Sequence, residues 1–461
     1  MNRIAGRSAI VLLFAILLLA GMVFFVFEFL VKADSWVVTP GSPHIYNAGN
    51  LDYGVVTDRD GILLLDLSGD RRYSGDENIR RSMLHWLGDR YGQVYSPALS
   101  KYAAQIVGYD LLDGLYTYGG KREGVISTTL SSMVQTVALE ALGDYKGTVA
   151  VYNYRTGELL CAVSTPTYDP DNVPDIESDE EGVYKGVYMN RFTQSAYIPG
   201  SIFKIVTLAA ALETIPDIQA RTFTCTGTIE IGGSQVTCNE DEIHGEQTMK
   251  QAFRNSCNCA FAEVALELGA ETLNKYVKQF GIQEPVSFDG VITEEGNFEV
   301  LGKDNVSLAW SAIGQGDDEV NPCTFLTYMG AVAAGGKGVL PHVVQQVTVN
   351  GRNTHTAETV TGNRIMSATT AKTIREYMRF NVEDKYDVDG EFFPGLTVCA
   401  KTGTAEVGDA LKPHAMLAGF VADEEYPLAF IVCVENAGYG KTVCRPIASQ
   451  VLAACKAEMD N

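Results

Sequence analysis

The chain opens on an uninterrupted apolar run, Ser8 to Phe27, 20 residues without a charge and dense in Leu, Ile, Val and Phe. At about 1.5 Å per residue a helix of that length spans about 30 Å, the thickness of a bilayer core. Arg3 and Arg7 precede it, and basic residues on a short flank hold that end in the cytoplasm, placing the chain beyond Lys32 outside. A cleaved secretory signal has a shorter apolar core and a small-x-small site, of which Val31-Lys32-Ala33-Asp34-Ser35 is a poor example. The expectation is an uncleaved, single-pass anchor, since no later run reaches 18 apolar residues.

Beyond the anchor the period changes. Tyr53 to Leu64 alternates around two glycines and predicts strand, turn and strand. Met133, Val134, Val137, Ala138, Ala141 and Leu142 form a helical stripe closed by Gly143. Gly147–Tyr152 and Gly157–Ser164 read as a hairpin of buried strands. Ser201–Thr214 is apolar on nearly all sides, as a helix buried in mid-domain must be. Helical patterns continue over Met249–Phe280 and Thr324–Ala334, then two apolar strands, Met416–Val421 and Leu428–Val434, and a last helix from Ile447. Strands at both ends with helices between predict an α/β domain whose sheet joins distant parts of the chain. Three units result: an anchor over residues 1–32, a small α+β membrane-proximal domain over 33–144, and a catalytic-sized domain over 145–461.

Charge and composition narrow the chemistry. Thirty-five basic against 57 acidic side chains give a net charge of −22, the wrong sign for a nucleic-acid binder. Asp169–Glu181 reads as a solvated acidic loop. Gly440-Lys441-Thr442 ends like a phosphate-binding loop, but Glu435 stands where that motif needs its first glycine. Ten cysteines are too few for a disulfide scaffold, and without C-x-x-C or H-E-x-x-H no standard zinc site or other metal or cofactor is expected. The six histidines are scattered without partner spacing.

Three short patterns carry the chemistry: Ser201-Ile-Phe-Lys204, Ser256-Cys-Asn258 and Lys401-Thr-Gly-Thr404, each the sole S-x-x-K, S-x-N and K-T-G of the chain. Alone, Ser201 reads as a helix start and Lys401 as a solvated strand lysine. Together and in this order they are the serine acyl-transfer set. Residues three apart on a helix share a face, so Lys204 reaches the Ser201 hydroxyl. Burial in an apolar helix, with Lys401 nearby, lowers the Lys204 pKa, so that a neutral amine takes the proton as Ser201 attacks a carbonyl. Ser256 suits proton delivery to a leaving amine and Asn258 a substrate amide. Lys401, Thr402 and Thr404 suit a terminal carboxylate, and Gly403, on an edge strand, allows close approach of an extended substrate. The backbone N–H groups of Ser201 and Thr404 are the expected oxyanion hole. No G-x-S-x-G occurs, so an α/β-hydrolase triad is not supported.

With these motifs the chain resembles the class B penicillin-binding proteins, within the penicilloyl-serine transferases. Asp52–Gly61, Thr156-Gly157-Glu158, Ser164–Pro170, Asn190-Arg191, Ile313–Gly316 with Asn321-Pro322, and His414–Phe420 extend the resemblance over about residues 50–455. It implies a transpeptidase fold, with a central antiparallel sheet flanked by helices and an all-helical subdomain. It also implies attack of Ser201 on the D-Ala-D-Ala bond of peptidoglycan stem peptides, and inactivation by β-lactams. A polytopic glycan polymerase in the membrane is the implied partner. A D,D-carboxypeptidase or β-lactamase, or a non-catalytic β-lactam sensor or scaffold, is the alternative. The chain departs from the pattern in a short region before the catalytic domain, in Cys257 inside the second motif, and in Met416, where an aromatic residue is common and the groove wall is expected to change.

Cys225 and Cys238 flank a segment turning at Gly232-Gly233. A two-residue turn puts Cys238 opposite Gly227 and Cys225 a diagonal step away, so a disulfide between them is the expected pairing if the end frays. Cys161, Cys399 and Cys433 lie in apolar strand patterns and are expected as buried free thiols.

Overall fold

Five strands form the sheet on which the molecule is organised: Gly147–Asn153, Leu159–Thr165, Val398–Ala405, His414–Val421 and Leu428–Val434. In space the last three come first, with Val398–Ala405 at one edge and Leu159–Thr165 at the other, and every neighbouring pair is antiparallel. Alternation sends Val149, Val151, Phe430 and Val432 to one face and Ala150, Tyr152, Ala429 and Ile431 to the other. Both faces are covered, which is why the first two strands and Leu428–Val434 are buried at every position. Full burial of each such Val or Ile contributes about 1.5–3 kcal/mol. The structure, a computed structural model, describes residues 2–37, 46–47, 50–51, 54–67, 71–107, 124–408 and 411–460.

One face is packed by the helices Ser132–Leu142 and Gly440–Asp460. The first is capped as its sequence directs: Ser131 accepts from Val134 N, and Gly143 closes the other end. The second starts seven residues before the expected Ile447 and runs through Pro446, because Val443 and Cys444 are buried against the sheet and extend the apolar face backwards. The opposite face carries the helices Pro322–Ala333 and Ala368–Asn381, and Lys204–Thr214 packs against Ala368–Asn381 and Asn258–Gln279. The helical pattern over 249–280 divides into Met249–Asn255 and Asn258–Gln279. Between them Ser256 turns left-handed, with φ at 59°, and Cys257 Sγ caps the second helix by accepting from Ala260 N.

A second sheet has six strands, in the order Arg352–Thr356, Val344–Val349, Gly124–Thr128, Val55–Thr57, Leu63–Asp66 and Arg72–Tyr73. The expected strand–turn–strand near residue 60 is its antiparallel pair Val55–Thr57 and Leu63–Asp66. Strands from either side of residue 145 therefore share this sheet. The acidic loop is largely exposed, as expected, at Asp171, Asp175, Glu177, Glu180 and Glu181, while Asp169 at its start accepts two bonds from Arg80, at 2.7 Å each. At the N-terminus a helix runs from Asn2 to Val37, and its segment Gly6–Ala33 is long and apolar enough to cross a membrane.

Candidate active site

The helix Lys204–Thr214 is preceded by a 3₁₀ turn, Gly200–Phe203, that places Ser201 in the wall of a cavity of about 340 Å³. Gly200 has a positive φ of 54°, and a Cβ there would lie 2.5 Å from the Thr404 carbonyl oxygen. Only glycine lets the serine turn sit this close to the edge strand. The turn is also anchored from behind: buried Arg191 Nε donates to Glu435 Oε1 at 2.8 Å, and Tyr197 OH donates to the same oxygen at 3.0 Å. Glu435, which ruled out a phosphate loop, thus ties the approach to Ser201 to the end of a central strand.

Lys204 is fully buried and has four oxygens around its Nζ: Ser201 Oγ at 3.0 Å, Ser256 O at 2.7 Å, Ser256 Oγ at 3.2 Å and Asn258 Oδ1 at 2.6 Å. An ammonium has three protons for these four neighbours, whereas a neutral amine offers a lone pair to the Ser201 O–H. Burial, the largest cause, pulls Lys204 down from 10.5 to about 8, with the nearby cysteine sulfurs opposing and Lys385 assisting. Lys401, equally buried, donates to Ser256 Oγ and the Thr402 carbonyl, both at 2.9 Å. Burial pushes it well below its ordinary range, and Lys204 and Lys385 push further. The expected repulsion between the two motif lysines thus registers on Lys401. Ser256 Oγ lies between the two lysine nitrogens, 3.2 Å from Lys204 Nζ and 2.9 Å from Lys401 Nζ, a position from which a proton can be relayed.

The third motif lies on the sheet's edge strand, as its glycine and threonines suggested. Thr402 and Thr404 line the cavity with Ser201, Ser256 and Asn258. Gly403 lies elsewhere: a Cβ there would stand 2.7 Å from the Pro199 carbonyl oxygen, so its missing side chain makes room for the serine turn. Met416 is fully buried, opposite Gly403 on the neighbouring strand, so it forms no part of the groove wall. His414 accepts from Asn436 N at 3.0 Å and packs edge-on against Tyr197.

Residues outside the three motifs complete the wall. Tyr386 OH accepts from Thr402 Oγ1 at 3.0 Å, Gln315 Nε2 donates to the Thr404 carbonyl at 3.2 Å, and Trp310, Lys385, Tyr439 and Lys441 also line the cavity. Gln315 lies within the Ile313–Gly316 signature, so its signal was present; Lys385 and Tyr386 come after a helix without distinctive spacing.

The cysteine expectations need correction. Cys238 does lie opposite Gly227, whose carbonyl accepts its N–H at 2.8 Å, and Cys225 is 3.7 Å away, sulfur to sulfur. Both are free thiols, and Cys257 and Cys259 join them, so the feature is a group of four sulfurs rather than one bonded pair. Cys161, Cys399 and Cys433 are buried and free, as expected.

A serine hydroxyl facing a buried amine, with a second serine and lysine behind it, is an arrangement suited to serine acyl transfer. Comparison with known proteins agrees. Residues 147–453 match the penicillin binding protein transpeptidase domain, and the chain belongs to that family, within its class B members. It is 30% identical over 375 residues to stage V sporulation protein D of Bacillus subtilis, covering 76% of this chain and 56% of that protein. It is 27% identical over 389 residues to the peptidoglycan D,D-transpeptidase PbpA of Mycobacterium tuberculosis, covering 78% and 77% respectively. Among solved structures, penicillin-binding protein A from M. tuberculosis as a ceftriaxone acyl-enzyme complex superposes with a TM-score of 0.76 at 25% identity, over 87% of this chain and 98% of that one. The D,D-transpeptidase domain of a peptidoglycan glycosyltransferase from Eggerthella lenta gives 0.76 and 25%, over 88% and 98%.

Proposed function

We propose that the chain is a peptidoglycan D,D-transpeptidase acting through an acyl-Ser201 intermediate. The observation that carries the reading is Lys204 Nζ, buried and 3.0 Å from Ser201 Oγ, which lines the cavity. Neutral Lys204 takes the Ser201 proton as Oγ attacks the carbonyl of the penultimate D-Ala. The C–N bond to the terminal D-Ala then breaks, and its amine leaves with a proton relayed through Ser256. The amine of a second stem peptide attacks the ester, the C–O bond to Ser201 breaks, and Oγ regains a proton. Asn258 holds the donor amide, and Lys401, Thr402 and Thr404 receive its carboxylate. The N–H groups of Ser201 and Thr404 bear the oxyanion. A β-lactam acylates Ser201 by the same route. Its ring opening leaves the amine tethered, which favours a long-lived ester.

The test is Ser201→Ala in the full chain, incubated with a fluorescent penicillin. Covalent labelling of the parent and none of the variant is the expected result; a labelled variant removes Ser201 as nucleophile. Fast turnover of the penicillin by the parent would point to a β-lactamase instead.

The apolar helix supports a single-pass anchor, and Arg3 and Arg7 on its short flank favour a cytoplasmic N-terminus with the catalytic domain outside. Protease added to intact cells should then digest the catalytic domain; its protection would reverse the orientation. Residues 33–144 would serve as the membrane-proximal unit, and the exposed apolar side chains of the helix as the face toward a polytopic glycan polymerase. Crosslinking from that helix to a polymerase tests the partnership, and its failure at every helix position would remove it.

A further inference from the structure

Directly beneath the Ser256–Asn258 turn, the Sγ atoms of Cys225, Cys238, Cys257 and Cys259 all lie within 4.8 Å of one another, and all four residues are buried. Cys238 Sγ is 3.7 Å from Cys225, 3.8 Å from Cys257 and 3.7 Å from Cys259. A tetrahedral ion with four sulfurs at about 2.3 Å has sulfur–sulfur edges of about 3.8 Å, whereas a disulfide brings one pair to about 2.05 Å. We propose that these four cysteines bind a single zinc ion, which pins the Ser256–Asn258 turn to the hairpin that comes after the serine helix.

The ligand set comes from two places. Cys225 ends the strand Thr222–Cys225, and Cys238 directly succeeds the strand Ser234–Thr237. Cys257 and Cys259 alternate with Ser256 and Asn258 at the start of the 22-residue helix Asn258–Gln279. Backbone donors already address two of the sulfurs as they would thiolates: Gly227 N points at Cys225 Sγ at 3.4 Å, and Ala260 N at Cys257 Sγ at 3.5 Å. His244 Nδ1 stands 3.3 Å from Cys225 Sγ, placed to donate to a bound thiolate from outside the tetrahedron. Four sulfurs and no oxygen in a tetrahedron select zinc over calcium or magnesium. Binding exchanges four thiol protons for one Zn²⁺ and leaves a dianionic tetrathiolate.

The placement gives the ion its consequence. Asn258 Nδ2 donates to the Thr237 carbonyl at 2.6 Å, one residue before Cys238, and Asn258 Oδ1 accepts from Lys204. An ion joining Cys238 to Cys257 and Cys259 fixes the same two segments from below. Zinc would thus be a positioning element for Ser256 and Asn258, outside the reaction itself.

The full chain, purified in detergent without chelator, should contain one zinc per molecule by elemental mass spectrometry. Titration with an organomercurial should release it to a chromogenic chelator as four thiols react. The denatured, unreduced protein should show all ten thiols. Cys225→Ser and Cys259→Ser should each lose the metal, while Cys161→Ser, at a buried sheet position, keeps it. Metal removal should lower the melting temperature, and added zinc should restore it. A parent protein without zinc, one containing iron instead, or one with six thiols and two disulfides overturns the proposal. These readouts do not depend on Ser201 chemistry, so they stand apart from the penicillin test; slower labelling of metal-free protein, reversed by zinc, would register the positioning role.

Discussion

The strand Val398–Ala405 and the turn Ser256–Asn258 are two walls of one cavity, held by different means. The strand pairs residue by residue with His414–Val421, so Thr402 and Thr404 are placed by backbone hydrogen bonds that no side-chain change removes. The turn has no such ladder. It is a left-handed residue between two helices, with two local backbone bonds, Ser256 N to the Phe253 carbonyl and Cys257 N to the Ala252 carbonyl. It is tied to the rest of the site by Lys204 on Ser256 and Asn258, by Lys401 on Ser256, and by Asn258 on the Thr237 carbonyl. A wall made of backbone should tolerate the loss of a supporting side chain; a wall made of side chains should not.

The most severe challenge to that contrast is Lys204→Ala, which removes the proton acceptor and the central tie of the turn together. Penicillin acylation, measured by fluorescent labelling over time, should slow by about 10²–10⁴-fold; a loss below tenfold would put the proton acceptor elsewhere. The pH profile comes next. Lys204 sits near 8 rather than 10.5, and its neutral form is the reactive one, so the acylation rate should rise with pH and level off above about 8. At pH 6 it should lie about 100-fold below that plateau, and a flat profile from pH 6 to 8 would contradict the assignment. The smallest effect is expected on the other wall. Tyr386→Phe deletes the oxygen that accepts from Thr402 but leaves the ladder intact. Acylation should change by only a few-fold, and stability by about 0.5–1.5 kcal/mol in denaturant unfolding. A loss beyond tenfold would mean that the strand wall, too, rests on its side chains.

The motifs were legible because each is local: S-x-x-K needs one helical turn, and K-T-G needs one strand. The edge position of Lys401-Thr-Gly and the hairpin after Gly147 were readable for the same reason. What connects them was not. Nothing local in Val344–Val349 announces that it pairs with Gly124–Thr128, more than 200 residues earlier, because strand pairing leaves no trace in the spacing of either partner. The break at Ser256 was hidden because its neighbours on both sides keep a helical period while a non-glycine residue takes the left-handed turn. The sulfur group escaped because its pairs are 13 and two residues apart, neither resembling the C-x-x-C of a zinc knuckle. Lys385 and Tyr386 reach the cavity from a π-helical turn, Val382–Tyr386, that no pattern marks.

The order of strands in the five-stranded sheet also constrains how the cavity comes into being. Gly147–Asn153 pairs with Leu428–Val434, so the centre of the sheet closes only after Leu428–Val434 has been made, more than 270 residues later. Until then Ser201 and Lys204 exist on a helix with no facing strand, and 196 residues separate Lys204 from Lys401. Closing so long a loop costs little more than closing one half as long, about 0.6 kcal/mol per doubling, but it must precede any reward from the sheet. A nascent chain cut short of the third motif therefore carries Ser201 and Lys204 but no facing wall, and so has no pocket in which to use them.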